Sequence, residues 1–281
     1  MQLHRPSSLE DAVGALGNGS RALAGGTELI PLLRDHQLEA DSLVYLRDVL
    51  PRGVSDGGRR IGAGTTLAEL EVDPEIPDAL REACRLAASP QLRNMSTIGG
   101  NLLQATRCWY WRLQFPCWLR GGEICHAKQG EHREHAIFGN DRCASAHPSD
   151  VAAALLALGG RVHTDRRVLG LADLYRLPTD ENRETTTLEP DELIVELELE
   201  SPQRSTYLKA MDRKRWAFAL VGVAAARFDD GLRLALAGVA PIPWTLPEPG
   251  ALESAKPLPG TAYKVELARV LIRRATDQVS G

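Results

Sequence analysis

The chain has 281 residues, of which 43% are hydrophobic and 25% are charged, with a formal net charge of −4. This composition is typical of a folded globular protein and excludes a disordered or fibrous chain. The acidic balance gives no general attraction to nucleic acid or to anionic membranes. No apolar run reaches the roughly 18 residues of a membrane span, and the first residues lack a signal peptide's apolar stretch. We therefore expect synthesis and folding in the reducing cytoplasm.

The first hundred residues predict short helices and strands that alternate along the chain. Helices are predicted over 7–16, 27–35 and 78–89, and strands over 21–26, 42–46 and 59–66. Ser7 or Ser8 is the predicted N-cap of the first helix. Cys84 lies on the apolar face of the third helix, so we predict that it is a buried core residue and not a functional thiol.

Two glycine-rich loops lie about 70 residues apart in the chain. The first glycine loop, residues 24–27, reads AGGT, and the second glycine loop, residues 97–101, reads TIGGN. Glycine allows a ligand to approach the backbone closely, and free N–H groups at a helix start bind phosphate. Neither loop has the GxGxxG or P-loop pattern, and each alone is more typical of an ordinary turn. As a pair they indicate a site for the two phosphates of a pyrophosphate.

Four of the five cysteines lie in one segment, residues 105–145, which we call the cysteine segment. Cys108, Cys117, Cys125 and Cys143 are separated by 8, 7 and 17 residues. In a reducing compartment, clustered thiols favour metal binding over disulfides. The spacing is not the C-x2-C pattern of zinc fingers or bacterial ferredoxins. Four thiolates can hold Zn²⁺ or an iron–sulfur cluster, so the spacing leaves the metal open.

The surroundings of the first two cysteines are aromatic and basic. Such residues would shield a metal centre from water and offset its negative charge; they are Trp109, Tyr110, Trp111, Phe115, Trp118, Arg107, Arg112 and Arg120. The alternative is a small aromatic core that forms without metal. Four histidines of this region are interpreted as surface or hydrogen-bonding residues and not as ligands; they are His126, His132, His135 and His147.

The second half of the chain predicts one buried helix followed by antiparallel strands. Residues 148–160 form a helix capped by Ser149 or Asp150 and ended by two glycines. Residues 191–200 alternate as a strand does, and residues 217–240 form a hairpin that turns at Asp230–Gly231. Residues 245–260 are a predicted loop, and residues 263–279 are an amphipathic helix. The predicted fold class is α+β, with a cleft between two domains, 1–170 and 171–281.

The motifs, in this order, resemble the FAD-binding subunit of the xanthine oxidase family of molybdenum hydroxylases. AGGTELIPLL, RNMSTIGGNLLQ and HPSDVAAALLAL carry the resemblance. ATRCWYWR, FPCW and GEHREHAI resemble the aldehyde oxidoreductase subtype, which has an extra [4Fe-4S] cluster. The match covers nearly the whole chain. It implies a two-part, PCMH-type FAD-binding domain over 1–170 with an iron–sulfur insert at about 105–145, and a C-terminal α+β domain over 171–281 that closes over the flavin.

The same resemblance implies roles for individual residues. The residues that would bind the FAD pyrophosphate are Ala24, Gly25, Gly26, Thr27, Glu28, Leu29, Thr97, Ile98, Gly99, Gly100 and Asn101. Asp150 would accept hydrogen bonds from the adenosine part, Ile194 would pack on the isoalloxazine, and Lys209 would lie near the flavin ring. The implied [4Fe-4S] ligands are Cys108, Cys117, Cys125 and Cys143. No catalytic acid or base is expected, because the flavin carries the chemistry.

The function implied is electron transfer within a larger complex. A large subunit would hold the molybdenum cofactor, and a small subunit would pass electrons through two [2Fe-2S] clusters to the FAD of this chain and on to an external acceptor. We expect the [4Fe-4S] cluster to be mainly structural, because the cysteine segment has little periodic structure. Alternatives are an FAD subunit of an aryl-CoA reductase-type complex and a non-catalytic zinc-binding assembly protein. The expected location is the cytoplasm, or the periplasm by export with a signal-bearing partner.

Overall fold

The computed structural model describes residues 1–17 and 19–281. The N-terminal residues form a small parallel sheet of three strands. The strands pair in the order β1–β3–β2, with β1 at Gln2–His4, β2 at Ser20–Leu23 and β3 at Ser42–Tyr45. Helices α1 (Leu9–Gly14) and α2 (Leu29–Arg34) connect these strands. Ser8 caps α1 by accepting a hydrogen bond from the Asp11 N–H. The first glycine loop therefore joins the end of a parallel strand to a helix.

A five-stranded sheet forms the next layer. Its order is β4 (Val54–Ser55), β5 (Arg60–Gly62), β8 (Ile194–Glu198), β6 (Arg161–Thr164) and β7 (Val168–Gly170), and all neighbours are antiparallel. The sequence boundary at residue 170 assigns β8 to the C-terminal part. Its pairing with β5 and β6 instead places it in the N-terminal sheet, which extends that part to Glu198. Alternation along the strand indicates a half-buried strand but not the sheet it joins.

Four helices share one hydrophobic core with this sheet: α3 (Leu67–Leu70), α4 (Asp78–Leu86), α6 (Ile98–Leu102) and α8 (Asp150–Ala157). The short helices α5 (Pro90–Arg93) and α7 (Trp109–Arg112) lie between them along the chain. Ser149 caps α8 by accepting a hydrogen bond from the Ala152 N–H. Cys84 lies on α4 with no exposed surface, which confirms its prediction as a core residue.

The C-terminal part is a four-stranded antiparallel sheet packed on one long helix. The strands run in the order β12 (Trp244–Leu246), β11 (Gly231–Ala237), β10 (Val221–Phe228) and β9 (Arg204–Ala210), and the helix is α9 (Tyr263–Ser280). Phe228 pairs with Gly231, so the hairpin turns at Asp229–Asp230, one residue before the predicted turn. The predicted loop 245–260 contains the end of β12 and two 3-10 turns, and its Leu252 is buried. The α+β class is confirmed.

Both faces of the C-terminal sheet are buried. Val223 and Ala225 of β10 pack with the apolar face of α9. Their neighbours Ala224 and Ala226 point the other way and join the core of α4 and α8. The C-terminal sheet therefore lies between α9 on one face and the N-terminal helices α4 and α8 on the other. Within residues 1–17 and 19–281, no helix combines the length and apolar character needed to cross a membrane.

A buried lysine fastens α9 to the cysteine segment. Lys264 has no exposed surface, and its Nζ donates hydrogen bonds of 2.8 Å to the carbonyls of Glu134 and Gly238. Beside it, the Tyr263 hydroxyl donates to the Arg133 carbonyl. Burial lowers the pKa of Lys264 to about 7. We therefore expect the contribution of Lys264 to the free energy of unfolding to depend on pH.

We expect the stabilising effect of Lys264 to rise with pH. The unfolded chain keeps the lysine charged up to a pKa of about 10.4, whereas the folded chain loses the charge near pH 7. Fewer protons are bound in the folded state across that window, so its contribution to the free energy of unfolding increases by up to about 1.4 kcal/mol per pH unit. Urea unfolding of wild type and Lys264→Met at pH 7, 8 and 9 measures the difference. The expectation would be contradicted if the difference in free energy of unfolding did not change with pH and equalled the difference caused by Lys256→Met, which replaces an exposed lysine.

Candidate functional site

A cavity with a volume of about 870 Å³ lies where the two glycine loops meet. We call it the large cavity. The predicted site residues that line it are Ala24, Gly25, Gly26, Thr27, Glu28, Leu29, Thr97, Gly99, Gly100 and Ile194. Its volume falls within the range of cofactor pockets, which are usually about 300–1,000 Å³. Ten of the fourteen residues predicted for one cofactor therefore surround one space.

The first glycine loop touches the residues just before the second loop at a position that only glycine can fill. A Cβ at Gly25 would lie 1.8 Å from the Met95 carbonyl oxygen, just before the second glycine loop. Any side chain there would force the loops apart. Gly100 differs, because an added Cβ would meet the protein only at Thr97 Oγ1, 3.0 Å away. Gly25 is thus needed for the fold of the site, whereas Gly100 leaves room at its surface.

Backbone donors are free at the first glycine loop but not at the second. In the part of the chain that the structure describes, the N–H groups of residues 25–28 donate to no protein acceptor. At the second loop, the N–H groups of Ile98 and Gly99 donate to Thr65 and Ala63, and that of Gly100 faces Thr97 Oγ1. The sequence predicted free donors at both loops. The structure provides them at the first, which can bind an anion such as phosphate.

Two arginines line the same cavity and were not predicted from the sequence. Arg21 and Arg176 border it, and the Nε atom of each is buried with no protein partner among the described residues. An unpaired buried donor costs free energy unless a ligand accepts from it. Arg176 lies in an irregular segment, where no periodicity marks a site. Together with the free N–H groups, the two arginines favour an anionic ligand.

Four predicted cofactor residues do not line the large cavity. Ile98 belongs to the hydrophobic core, and Asn101 accepts a hydrogen bond from Ser149 Oγ at 2.6 Å. Asp150 and Lys209 form a buried ion pair with Nζ and Oδ2 2.7 Å apart and side chains 3% and 1% exposed. The expected contacts of these residues with the flavin stay predictions. Sequence order could not reveal that their side chains point at each other.

The ion pair belongs to a fully connected polar network. Tyr207 donates its hydroxyl hydrogen to Asp150 Oδ1 at 2.5 Å, and Lys209 Nζ also donates to the Leu86 carbonyl at 3.0 Å. Burial raises the pKa of Tyr207 well above its usual value, with the Asp150 charge as a second cause. The network joins α4, α8 and β9. It therefore ties these three elements together.

Replacing Lys209 with methionine is expected to destabilise the protein by about 3–5 kcal/mol, because Asp150 would keep a buried charge without its partner. Denaturant unfolding measures the change. Arg269→Met is the control, since Arg269 pairs with Glu253 and Glu266 on the surface and should contribute less than about 1 kcal/mol. Unchanged stability together with loss of flavin would contradict the structural role and support a ligand contact instead.

Glu28 connects the first glycine loop to the cysteine segment. Its carboxylate lies 2.5 Å from Arg112 Nη2 and 2.6 Å from Arg107 Nη2, and it accepts a hydrogen bond from the Ala105 N–H. From the sequence, these arginines were predicted to offset the charge of a metal centre. In the structure Arg107 and Arg112 pair with Glu28, and Arg120 stacks on Trp111 at 5.2 Å. The loop and the segment are thus held together by charge-assisted hydrogen bonds.

The four cysteines of the cysteine segment line one small cavity, the cysteine cavity, although they come from different turns of the chain. Trp111, Leu119 and Ser145 line both this cavity and the large cavity. Within residues 1–17 and 19–281, no three His, Cys, Asp or Glu side chains stand in position to hold a single metal ion. All four thiols are free of disulfides. They thus share one space without converging on one point.

The thiols of the cysteine cavity differ in acidity. Burial raises the pKa of Cys108 to about 11, whereas a hydrogen bond with Cys143 lowers that of Cys125 to about 6. The same bond raises the pKa of Cys143 well above its usual value. Cys125 is thus the thiol of this pair that ionises first.

Two of the four histidines interpreted as surface or hydrogen-bonding residues are buried. His135 and His147 are 2% and 5% exposed, and burial lowers their pKa values to about 4 and about 3. His135 Nε2 lies 3.2 Å from Cys108 Sγ. His135 packs on Trp109 and His147 on Tyr175, and no local sequence pattern predicted these contacts.

Comparisons with known proteins identify the family of this chain. The family described as FAD binding domain in molybdopterin dehydrogenase matches residues 1–201. The aldehyde oxidoreductase FAD-binding subunit PaoB of Escherichia coli (strain K12) is 40% identical over 248 residues, which are 81% of this chain and 77% of that protein. The carbon monoxide dehydrogenase medium chain of Afipia carboxidovorans is 41% identical over 108 residues, or 35% of this chain and 37% of that one.

Solved structures agree as well. The Cu,Mo-CO dehydrogenase in its cyanide-inactivated form superimposes with a TM-score of 0.71 and 25% identity, covering 99% of this chain and 97% of that chain. Quinoline 2-oxidoreductase from Pseudomonas putida 86 shares the fold, with a TM-score of 0.69 and 20% identity over 100% of this chain and 97% of that chain. The chain therefore belongs to the FAD-binding subunits of the xanthine oxidase family of molybdenum hydroxylases, an oxidoreductase family, as the order of its motifs predicted.

Proposed function

We propose that this chain is the FAD- and [4Fe-4S]-carrying electron-transfer subunit of a molybdenum-dependent aldehyde oxidoreductase. The observation that carries the proposal is the large cavity, with the unpaired N–H groups of residues 25–28 at its wall. The similarity to the aldehyde oxidoreductase FAD-binding subunit extends over 81% of the chain, which favours this complex over an aryl-CoA reductase. Electrons would arrive from [2Fe-2S] clusters on a partner and leave to an external acceptor.

The residues present fit FAD. The N–H groups of residues 25–28 supply donors for phosphate, and Arg21 and Arg176, which line the cavity, supply positive charge. Ile194, 5% exposed at the cavity wall, supplies an apolar surface for a flat ring. Bound FAD would supply the capacity to exchange electrons with iron–sulfur clusters. The protein's part is to bind and orient it, and no side chain is proposed as an acid or base.

The donor set of the cysteine cavity fits an iron–sulfur cluster better than zinc. The four cysteines line one cavity, and four thiolates are the donor set that such a cluster requires. The resemblance of ATRCWYWR, FPCW and GEHREHAI to the aldehyde oxidoreductase subtype favours the cluster over zinc. The cysteine segment has little regular structure beyond α7 and two 3-10 turns. A cluster would therefore supply ordering free energy to it.

The proposed partners follow from the family. A large subunit would hold the molybdenum cofactor and the substrate, and a small subunit would hold two [2Fe-2S] clusters. This chain alone would then not oxidise an aldehyde. We place its folding in the cytoplasm, with export possible alongside a signal-bearing partner.

The test is cofactor analysis of the purified chain, alone and co-expressed with its partner subunits. We expect one FAD and about four irons per chain without zinc, and aldehyde oxidation when the complex is intact. Flavin absorbance without iron would remove the cluster from the proposal. Stoichiometric zinc without flavin would replace it with the assembly-protein alternative. Aldehyde turnover by this chain alone would contradict the subunit role.

A further inference from the structure

We propose that His135 donates a hydrogen bond from Nε2 to the thiolate sulfur of Cys108 and thereby raises the reduction potential of the cluster. This inference rests on the proposed [4Fe-4S] centre and names a positioning residue for it. The contact joins two turns of the cysteine segment that are 27 residues apart, with Nε2 and Sγ separated by 3.2 Å. A nitrogen–sulfur distance of this length is that of a direct hydrogen bond.

The His135 ring is held in one orientation. It is 2% exposed and packs edge-on against Trp109, with ring centroids 4.7 Å apart and an angle of 83° between the planes. Its backbone N–H donates to the His132 carbonyl at 2.9 Å. The Trp109 ring and the hydrogen bond to the His132 carbonyl leave the His135 ring little freedom to turn away from Cys108.

The pairing of the two ring nitrogens assigns the proton to Nε2. Nδ1 is buried and has no hydrogen-bond partner among the described residues. A buried N–H without an acceptor is costly, whereas a bare ring nitrogen in the same position loses less. The ring therefore keeps its hydrogen at Nε2, where a thiolate sulfur accepts it. A ligated cysteine is a thiolate and has no hydrogen of its own to donate.

A donor at a ligand sulfur changes the potential in a defined direction. Reduction adds negative charge to the cluster and its sulfurs, so a hydrogen bond to sulfur stabilises the reduced state more than the oxidised state. Cys108 also lines a second cavity of about 310 Å³. The other three cysteines of the segment line only the cysteine cavity. His135 borders that second cavity too, so its contact with Cys108 lies at the cavity wall.

The experiment is a redox titration of the purified chain, followed by the electron paramagnetic resonance signal of the reduced cluster, in His135→Leu and His135→Gln. Leucine removes the donor, and glutamine retains an N–H. We expect His135→Leu to lower the ratio of reduced to oxidised cluster about tenfold at a fixed potential, which is about 59 mV for a one-electron couple. His135→Gln should recover part of the shift. His132→Leu is the matched control, because His132 accepts from the Gly260 N–H and has no hydrogen bond to a cysteine among the described residues.

Each outcome decides the question. Full iron content with an unchanged potential in His135→Leu would overturn the inference, and so would an equal shift in His132→Leu. If His135→Leu loses its iron, the glutamine variant decides: an intermediate potential supports the inference, and lost iron or a wild-type potential overturns it. A wild-type chain without an iron–sulfur signal would instead refute the cluster in the proposed function, which separates the two failures.

Discussion

Replacing Gly100 with valine is expected to give folded protein that purifies without FAD. Gly100 lines the large cavity at the start of α6, and an added Cβ meets the protein only at Thr97 Oγ1. The two methyl groups of valine would then occupy space that the proposed pyrophosphate needs. A loss of about 3 kcal/mol of binding free energy lowers affinity by more than about a hundredfold. The ratio of flavin absorbance to protein absorbance after purification measures the effect.

Gly14→Val is the matched control. Gly14 is also a helical glycine, at the end of α1, and a Cβ there would meet no atom within 4 Å. Both variants carry the same cost of a β-branched residue in a helix. Gly14→Val should therefore keep its FAD, and the two apo proteins should unfold at similar denaturant concentrations. Equal flavin content in the two variants would remove the second glycine loop from the FAD site.

Local signals in the sequence predicted much of the fold. The cap of α8 is an example, because a serine side chain that accepts from an N–H three residues later depends only on neighbouring residues. The burial of Cys84 followed from helical spacing in the same way. The sheet that β8 joins could not be predicted, since its partners β5 and β6 lie far away in the chain and any half-buried strand shows the same alternation.

In the candidate site, too, local features could be predicted from the sequence and contacts between distant residues could not. Glycine loops have a sequence signature, and the structure brings both to one cavity. The partners of charged side chains have no such signature. Lys209 pairs with Asp150, and the arginines near Cys108 pair with Glu28, because burial penalises any charge left without a partner. The sequence therefore predicts where the glycine loops lie better than it predicts which charged side chains pair.

Replacing Cys117 with serine is expected to remove about four irons per chain, because a serine hydroxyl is a poor substitute for one of four thiolate ligands. Cys117 is 6% exposed, and its N–H and carbonyl are already engaged within its own turn, so the substitution removes a sulfur and leaves the backbone intact. Without the cluster, the cysteine segment should become sensitive to protease. FAD should be largely retained, since its proposed backbone donors at residues 25–28 do not involve the cysteines. Iron analysis, limited proteolysis and flavin absorbance measure the three effects.

Cys84→Ala tests whether any lost thiol has the same effect. Cys84 is fully buried on α4, and burial raises its pKa well above the usual value, so it stays a neutral thiol. Its replacement should lower stability by a small cavity cost and leave iron and protease resistance unchanged. Full iron content in Cys117→Ser would exclude Cys117 as a ligand. Loss of iron with a protease-resistant segment would show that the aromatic residues around Trp118 hold the segment by themselves, and that the cluster serves electron transfer more than structure.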